Sequence, residues 1–151
     1  MRISARADYA LRATAELACG GASPIKAERI AGAQHVPLKF LLNILGELKH
    51  ARIVQSRSGP DGGYRLARPP GEITVAEVIR AVEGPLANIQ DARPEELSYE
   101  GPAAALREVW IAVRANLRSI LESVTLADVA SGALPSRIRD LVADPDAWVP
   151  R

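Results

Sequence analysis

The chain has 151 residues, of which 48% are hydrophobic and 25% are charged. These values are typical of one globular domain with a modest extension, and they exclude a wholly disordered chain. No apolar run approaches the roughly 20 residues of a membrane-spanning helix, so a transmembrane protein is excluded as well. The basic start, with Arg2 and Arg6, is not followed by an apolar segment, so no secretory signal is predicted and we expect a cytoplasmic protein.

Charge is distributed unevenly along the sequence, although the net charge is only +1. Residues 1–70 contain eleven Lys or Arg against five Asp or Glu, a balance of +6. Residues 71–151 contain eight against thirteen, a balance of −5. A basic first half of this kind indicates contact with a polyanion such as nucleic acid.

The residues that commonly bind metals are few. The sequence has one cysteine, Cys19, and two histidines, and none of them stand at metal-ligand spacing. We therefore expect no metal and no cofactor, because one thiol cannot complete a four-cysteine zinc site or a cysteine-ligated iron–sulfur cluster. No basic residue adjoins Cys19, so its expected role is that of a small buried apolar side chain, and His35 is expected to be structural.

The first three predicted helices have the pattern of a helix-turn-helix. A helix is predicted over residues 8–19, a short one over 27–34, and a third from Pro37 to about His50. In the third helix one stripe is apolar, with Leu38, Leu41, Leu45 and Leu48. The opposite stripe carries Lys39, Asn43, Gly46, Glu47 and His50. Two short helices that meet at a tight break, the second with a polar outer stripe, predict this motif.

A β-hairpin follows the third helix. Residues 53–56 and 64–66 favour strands, and the glycine- and proline-rich residues 59–63 between them predict a turn. Arg57 and Arg65 are predicted near its tip. A helix-turn-helix followed by such a hairpin is a winged helix.

The second half of the sequence is predicted to contain three helices, one loop and an irregular tail. Thr74 and Glu77 form a capping box that starts a helix to about Glu83. The longest helix is predicted from Pro102 to about Val124, and another begins at residues 125–128. The long helix has an apolar stripe near the heptad spacing, for which dimerisation is a better account than an internal core. Its members are Leu106, Val109, Trp110, Val113, Leu117, Ile120, Leu121 and Val124.

The predicted fold class is mainly α with a small β-hairpin wing, a winged helix-turn-helix followed by a long C-terminal dimerisation helix. Its predicted units are the DNA-binding domain at 1–84, a linker or sensing loop at 85–101, the dimerisation helix and a following short helix at 102–131, and an irregular tail at 132–151.

Four segments of the sequence resemble the Rrf2 family of bacterial transcription regulators. They are YALRA at 9–13, GPDGGYRLARP at 59–69, EITV at 72–75 with EGPL at 83–86, and TLAD at 125–128. The resemblance covers about residues 1–130. It implies a homodimer that binds a pseudo-palindromic operator, with the third helix in the major groove, the wing in the minor groove and the long helix at the dimer interface.

Many members of that family sense iron, nitric oxide or redox state through an iron–sulfur cluster. Their three cysteines lie in the region that corresponds to residues 86–105, which contain none here. Asp8 matches the position of a carboxylate ligand in one nitric-oxide-sensing subgroup, but it has no thiols to complete. The resemblance therefore places the chain with the cluster-free members, which include a regulator of cysteine metabolism controlled by a partner enzyme.

Within the winged helix, the outer stripe of the third helix supplies the candidates for base contact. Asparagine suits bidentate contact with adenine, and lysine reaches guanine or phosphate, so Asn43 and Lys39 are expected to bind DNA. His50, near the helix end, is equally compatible with a solvated face. Leu42 departs from the acidic or polar residue common in the family, and it either meets a thymine methyl group or packs inward.

The wing and the second helix supply further candidates. Arg57 and Arg65 are expected to bind beside the minor groove, whose negative potential attracts arginine. Gly62 and Gly63 favour turn geometry, and they also permit a close approach of the backbone to DNA. Lys26, where the family usually has a helix-capping Ser or Thr, is a poor cap and is expected to bind a phosphate.

The sequence thus predicts a homodimeric repressor that reads double-stranded DNA and is controlled by a small-molecule or protein effector. The alternative is a winged-helix interaction module that does not read DNA. An enzyme is not expected, because the sequence shows no nucleophile–base pair, no phosphate-binding glycine loop and no metal-ligand spacing.

Overall fold

The computed structural model describes residues 2–151, so the first residue of the predicted 1–84 unit lies outside the described residues. The helices and strands, in chain order, are α1 (Ala5–Gly20), α2 (Ala27–Gln34), α3 (Leu38–His50), β1 (Val54–Arg57), β2 (Gly63–Leu66), α4 (Val75–Glu83), α5 (Leu106–Leu121), α6 (Leu126–Ser131) and α7 (Ser136–Ala143). This mainly helical architecture with one hairpin confirms the predicted fold class. No helix among these residues is long and apolar enough to cross a membrane.

Helix α1 is the central element of the core. It packs against α3, α4 and α6 through the small buried side chains of Ala7, Ala10 and Ala13, which allow close approach of the helices, and through Leu17. It begins one turn earlier than predicted, because the side chain of Ser4 accepts a hydrogen bond from the backbone N–H of Ala7 and caps the helix.

The helix-turn-helix forms as the sequence predicts, with one correction on α3. Leu41, Ile44, Leu45 and Leu48 are buried against the core. The sequence predicts Leu38 on this inward stripe, but its side chain is 38% exposed in the first turn of the helix. The side of α3 that points away from the core therefore includes an apolar residue near its start.

The wing is a two-stranded antiparallel hairpin that is tied to the segment before α2. Within the hairpin, Val54 pairs with Leu66 and Arg57 with Gly63. The backbones of Tyr64 and Ile25 exchange two hydrogen bonds of 2.8 Å, which add a strand-like bridge beside β2. The wing is therefore held by backbone contacts at its base as well as by its own turn.

A capping box fixes the start of α4. The N–H of Glu77 donates to the Thr74 hydroxyl over 3.2 Å, and the N–H of Thr74 donates to the Glu77 carboxylate over 2.9 Å. Arg68 forms an ion pair of 2.7 Å with the same carboxylate. Burial opposes the charged form of Glu77, but the hydrogen bonds from Thr74 and Arg68 outweigh it and hold the pKa of Glu77 below its ordinary value.

We expect Glu77→Gln to lower the free energy of unfolding by about 1 kcal/mol at pH 7, since the ion pair is partly exposed. A carboxyl group with a lowered folded-state pKa stabilises the protein above its unfolded pKa, and this contribution is lost as pH falls through the folded value. The difference between variant and wild type should therefore begin to shrink as pH falls to about 4, the ordinary pKa of a glutamate, and vanish at more acidic pH. Denaturant unfolding across this range is the measurement, and Glu72→Gln, at an exposed position nearby, should match wild type throughout.

Three predictions for the second half are wrong. Helix α5 is shorter than predicted and ends at Leu121, and a 3-10 turn at Gly101–Ala103 precedes it. Val124 is not on the predicted dimer surface: it is 8% exposed, and its carbonyl accepts a hydrogen bond from the N–H of Val75. The 132–151 segment is not irregular, because it contains α7 and a 3-10 turn at Pro145–Trp148.

Candidate nucleic-acid interface

The outward side of α3 presents polar side chains next to apolar ones. Lys39, Leu42, Asn43 and His50 are all exposed, and no side-chain hydrogen bond engages Lys39, Asn43 or His50 within residues 2–151. These groups are therefore free to bind a ligand outside the chain. The sequence alternative in which Leu42 packs inward is wrong, since this side chain is 45% exposed.

Glu47, on the same helix, is turned toward α1. Its carboxylate forms an ion pair with Arg6. This partner neutralises the one acidic side chain of α3, and with it a negative charge that would repel phosphate. Glu47, which the sequence groups with the outward polar stripe of this helix, therefore faces α1 instead.

The two wing arginines are exposed on the hairpin. Arg57 ends β1, and Arg65 lies on β2, where its Nε atom donates to the Gln55 side chain over 3.3 Å. Both guanidinium groups are accessible to solvent. Contact of either group with DNA stays a prediction.

The wing glycines have a structural role. A side chain at Gly62 would place a Cβ atom 2.0 Å from the carbonyl oxygen of Arg57. Gly63 has a φ of 147°, and a Cβ atom there would lie 2.5 Å from the carbonyl oxygen of Ile25. Both positions require glycine for the turn and for the bridge to Ile25, whatever their distance from DNA.

Lys26 supports the wing. It precedes α2 without a side-chain capping bond, as its residue type predicts. Its Nζ atom instead donates to the carbonyl oxygen of Gly59 at the wing tip over 2.8 Å. An ammonium group has three donors, so two remain for the predicted phosphate contact.

Two basic residues that the sequence analysis does not identify as candidates also lie beside the wing. Lys49 and Arg52 line a cavity of about 690 Å³ between the end of α3 and strand β1, together with Gln55 and Ser56. Arg52 has a φ of 59°, in the left-handed region, as the chain turns from the helix into the strand. Their position directly before a predicted wing strand is the signal that could have identified them.

The predicted dimerisation stripe lies partly on the surface of α5. Leu106 is 40% exposed and Val109 is 48% exposed, while Trp110, Val113, Leu117, Ile120 and Leu121 are half-buried. The indole N–H of Trp110 donates to the Tyr99 hydroxyl over 3.0 Å, which ties the preceding loop to the helix. Apart from Val124, which lies beyond the end of α5, the predicted residues therefore form one stripe along this helix.

The residues present do not fit an iron–sulfur cluster. Cys19 is exposed at the end of α1, which corrects its expected burial: its Sγ atom lies 3.9 Å from the carbonyl oxygen of Ala130. Asp8 forms an ion pair with Arg12 over 3.0 Å, and His35 is the C-cap residue that follows α2, with a φ of 53°. In the described part of the chain no three His, Cys, Asp or Glu side chains converge on a possible metal ion.

A helix-turn-helix with an exposed polar helix and an arginine-bearing hairpin defines a winged-helix DNA-binding protein. Residues 3–132 match the family model described as "Rrf2: Iron-dependent Transcriptional regulator". The chain belongs to the Rrf2 family of DNA-binding transcriptional regulators. Its single cysteine does not provide the thiolate ligands of an iron–sulfur cluster, so the residues of this chain do not fit one.

Two relatives that are named as transcriptional regulators support this assignment. A protein of Mycobacterium tuberculosis assigned to the HTH-type transcriptional regulators is 48% identical over 145 residues, 95% of this chain and 90% of that protein. The HTH-type transcriptional regulator CymR of Bacillus subtilis is 34% identical over 87% of this chain and 91% of its own.

Two solved structures have the same architecture. The structure of the B. subtilis global cysteine regulator CymR superimposes with a TM-score of 0.75 over 88% of this chain and 98% of that one, at 34% identity. The T. potens IscR structure gives a TM-score of 0.70 over 100% of this chain and 93% of that one, at 27% identity.

Proposed function

We propose that the chain is a homodimeric, sequence-specific repressor that acts on chromosomal DNA in the bacterial cytoplasm. The observation that carries this proposal is the free polar side of α3, where Lys39 and Asn43 have no partner in the described chain, beside a wing with two exposed arginines. Phosphate contacts from Lys26, Arg57 and Arg65 would position the protein, and Lys39 and Asn43 would select the sequence. A dimer bound across a promoter represses by excluding polymerase.

Dimerisation is supported by the stripe on α5. Leu106 and Val109 leave apolar surface in water, and Val113 and Leu117 continue the same stripe. A second copy of α5 packed on it would remove this surface from water and relate two α3 helices by a two-fold axis. The operator would then contain two half-sites about one helical turn apart.

An effector would act through the loop at 85–101. The loop is fixed to α5, because Arg107 donates to the carbonyl oxygen of Glu95 over 3.0 Å and Arg114 pairs with the Glu95 carboxylate. A backbone hydrogen bond and Arg114 lower the pKa of Glu95. The loop is therefore a defined surface to which a small molecule or a protein could bind.

A path from this region to α3 runs through the start of α1. A cavity of about 270 Å³ is lined by Ser4, Glu83, Leu86, Leu117 and Leu121, and thus lies between the winged helix and α5. The Ser4 hydroxyl donates to Glu83, and two residues later Arg6 pairs with Glu47 of α3. An occupant that displaced Ser4 would shift the helix that carries the base-contacting side chains.

DNA binding is tested first by fluorescence anisotropy on DNA from upstream of the protein's own gene, with scrambled DNA as control. Raising salt from 50 to 200 mM should weaken binding about a hundredfold or more, since phosphate contacts release counterions. Lys39→Ala should weaken binding to the operator about tenfold and reduce its preference over scrambled DNA. Arg139→Ala, which removes an exposed charge from α7, should behave as wild type. A Lys39→Ala protein that is equal to wild type in every respect would favour the interaction module.

The role of the loop is tested in a reporter strain. We expect a chain in which residues 91–100 are replaced by a Gly-Ser linker of equal length to remain a dimer and to bind the operator. It should no longer respond to conditions that release the wild-type repressor, because the surface that receives the signal is gone. A response that survives the replacement in a folded dimer would contradict this role.

A further inference from the structure

Helix α3 carries an apolar stripe on its outward side. Leu38 is 38% exposed and Leu42 is 45% exposed, and their spacing of four residues places them one above the other on the helix. The stripe runs beside the polar pair Lys39 and Asn43, which have the same spacing. Gly46, one further turn along, adds no side chain, and its surroundings are open.

This stripe is distinct from the other exposed apolar residue of the helix. Phe40 lies on the flank of α3 that faces α1, where it lines a cavity with Arg6, Tyr9 and Asn43. By helical spacing Leu42 lies on the opposite flank, the one shared with Lys49 beside the wing. A duplex bound between α3 and the wing would therefore cover Leu38 and Leu42, and it would reach Phe40 only on the far side of Asn43.

The major groove offers one kind of apolar group to such side chains. Base edges there present hydrogen-bond donors and acceptors, and thymine alone adds a C5-methyl group. Two leucines in the groove would leave polar base edges without water or partners unless methyl groups faced them. The stripe consequently matches thymine, and the adjacent Asn43 matches adenine, the base that pairs with thymine.

We propose that Leu42, with Leu38 one turn before it, selects thymine in each half-site of the operator by contact with its methyl group. This inference rests on the proposed entry of α3 into the major groove, and it adds a base preference that the polar residues do not supply. Leu42 then acts as a specificity residue, next to the base that Asn43 contacts.

The test uses the full-length protein and DNA duplexes chosen by in vitro selection from a randomised library. Each thymine of the selected half-site is replaced in turn by uracil, which removes the methyl group alone. Loss of one buried methyl contact should weaken binding about fourfold at one or two positions in each half-site. At all other thymines the substitution should change affinity less than twofold.

Variants assign the methyl contact to a side chain. In Leu42→Ala, thymine and uracil at the sensitive position should bind equally, whereas Lys39→Ala should keep the full fourfold difference. Leu42 is exposed, so its truncation leaves the core intact, and thermal melting verifies this. Leu42→Gln provides a second variant: its terminal amide offers the methyl group no apolar partner, so thymine and uracil at the sensitive position should again bind equally.

The outcomes separate this inference from the function on which it rests. If wild type distinguishes selected from scrambled DNA while uracil has no effect at any position, the methyl contact is refuted and the regulator stands. A uracil effect that persists in Leu42→Ala also refutes it, because another group then reads the methyl. A library that yields no preferred sequence overturns both proposals.

Discussion

Replacing Gly63 by alanine should lower the melting temperature by about 10 °C and weaken operator binding about tenfold or more. The backbone at Gly63 has a φ of 147°, which side chains rarely adopt, and the added Cβ atom would lie 2.5 Å from the carbonyl oxygen of Ile25. Relief requires separation of β2 from Ile25, which breaks the two hydrogen bonds between Tyr64 and Ile25. We estimate a cost of about 3 kcal/mol from the unfavourable φ and the backbone clash together.

The loss of DNA affinity would follow from displacement of the wing, since Arg65 lies two residues after Gly63 on the same strand. Gly32→Ala is the matched control: Gly32 lies in α2 with open space around it, so alanine should stabilise the protein by up to about 1 kcal/mol. Calorimetry and anisotropy on both variants measure the effects. A Gly63→Ala protein with wild-type melting and wild-type affinity would show that the bridge to Ile25 does not hold the wing.

The winged helix could be predicted because its signals are local. Pro37 sets the break before α3, the glycines at 62 and 63 set the turn, and Thr74 with Glu77 sets the start of α4. Each of these residues determines the backbone conformation only within a few positions, so the surrounding sequence is sufficient to predict it. The bridge between Ile25 and Tyr64 is different, because it joins residues 39 positions apart, and no local pattern indicates it.

The wrong predictions of burial share one physical cause: whether a side chain is buried depends on residues that are distant in the sequence. Leu38 and Cys19 lie at the ends of helices, where periodicity continues but no neighbouring element covers the side chain. Val124 fits the heptad stripe of α5 in the sequence, yet the helix ends at Leu121 and the backbone of Val124 pairs with α4 instead. The exposure of the candidate DNA-binding residues on α3 could be predicted from the helical period. The proximity of Lys49 and Arg52 to the wing could not, because it depends on how the hairpin packs beside the end of α3.

The second large effect concerns α5. We expect Val109→Glu to disrupt the proposed dimer, leaving a monomer, and to lower the affinity for the complete operator about a hundredfold. Val109 is 48% exposed in the single chain, so glutamate is tolerated there before assembly. In a two-fold interface the substitution occurs twice, and an unpaired buried charge costs about 3–5 kcal/mol at each copy. Light scattering on a sizing column measures the mass, and anisotropy measures the affinity.

Affinity falls because two linked half-site contacts strengthen each other by effective concentration, commonly by about a hundredfold or more, and a monomer retains only one of them. Binding to an isolated half-site should therefore be the same for Val109→Glu and wild type. Ala115→Glu is the matched control, with the same charge on the same helix at an exposed position on the opposite side from the stripe. It should remain dimeric. A dimeric Val109→Glu protein with unchanged operator affinity would show that the dimer interface lies elsewhere. Equal disruption by Ala115→Glu would show that the interface does not depend on the stripe.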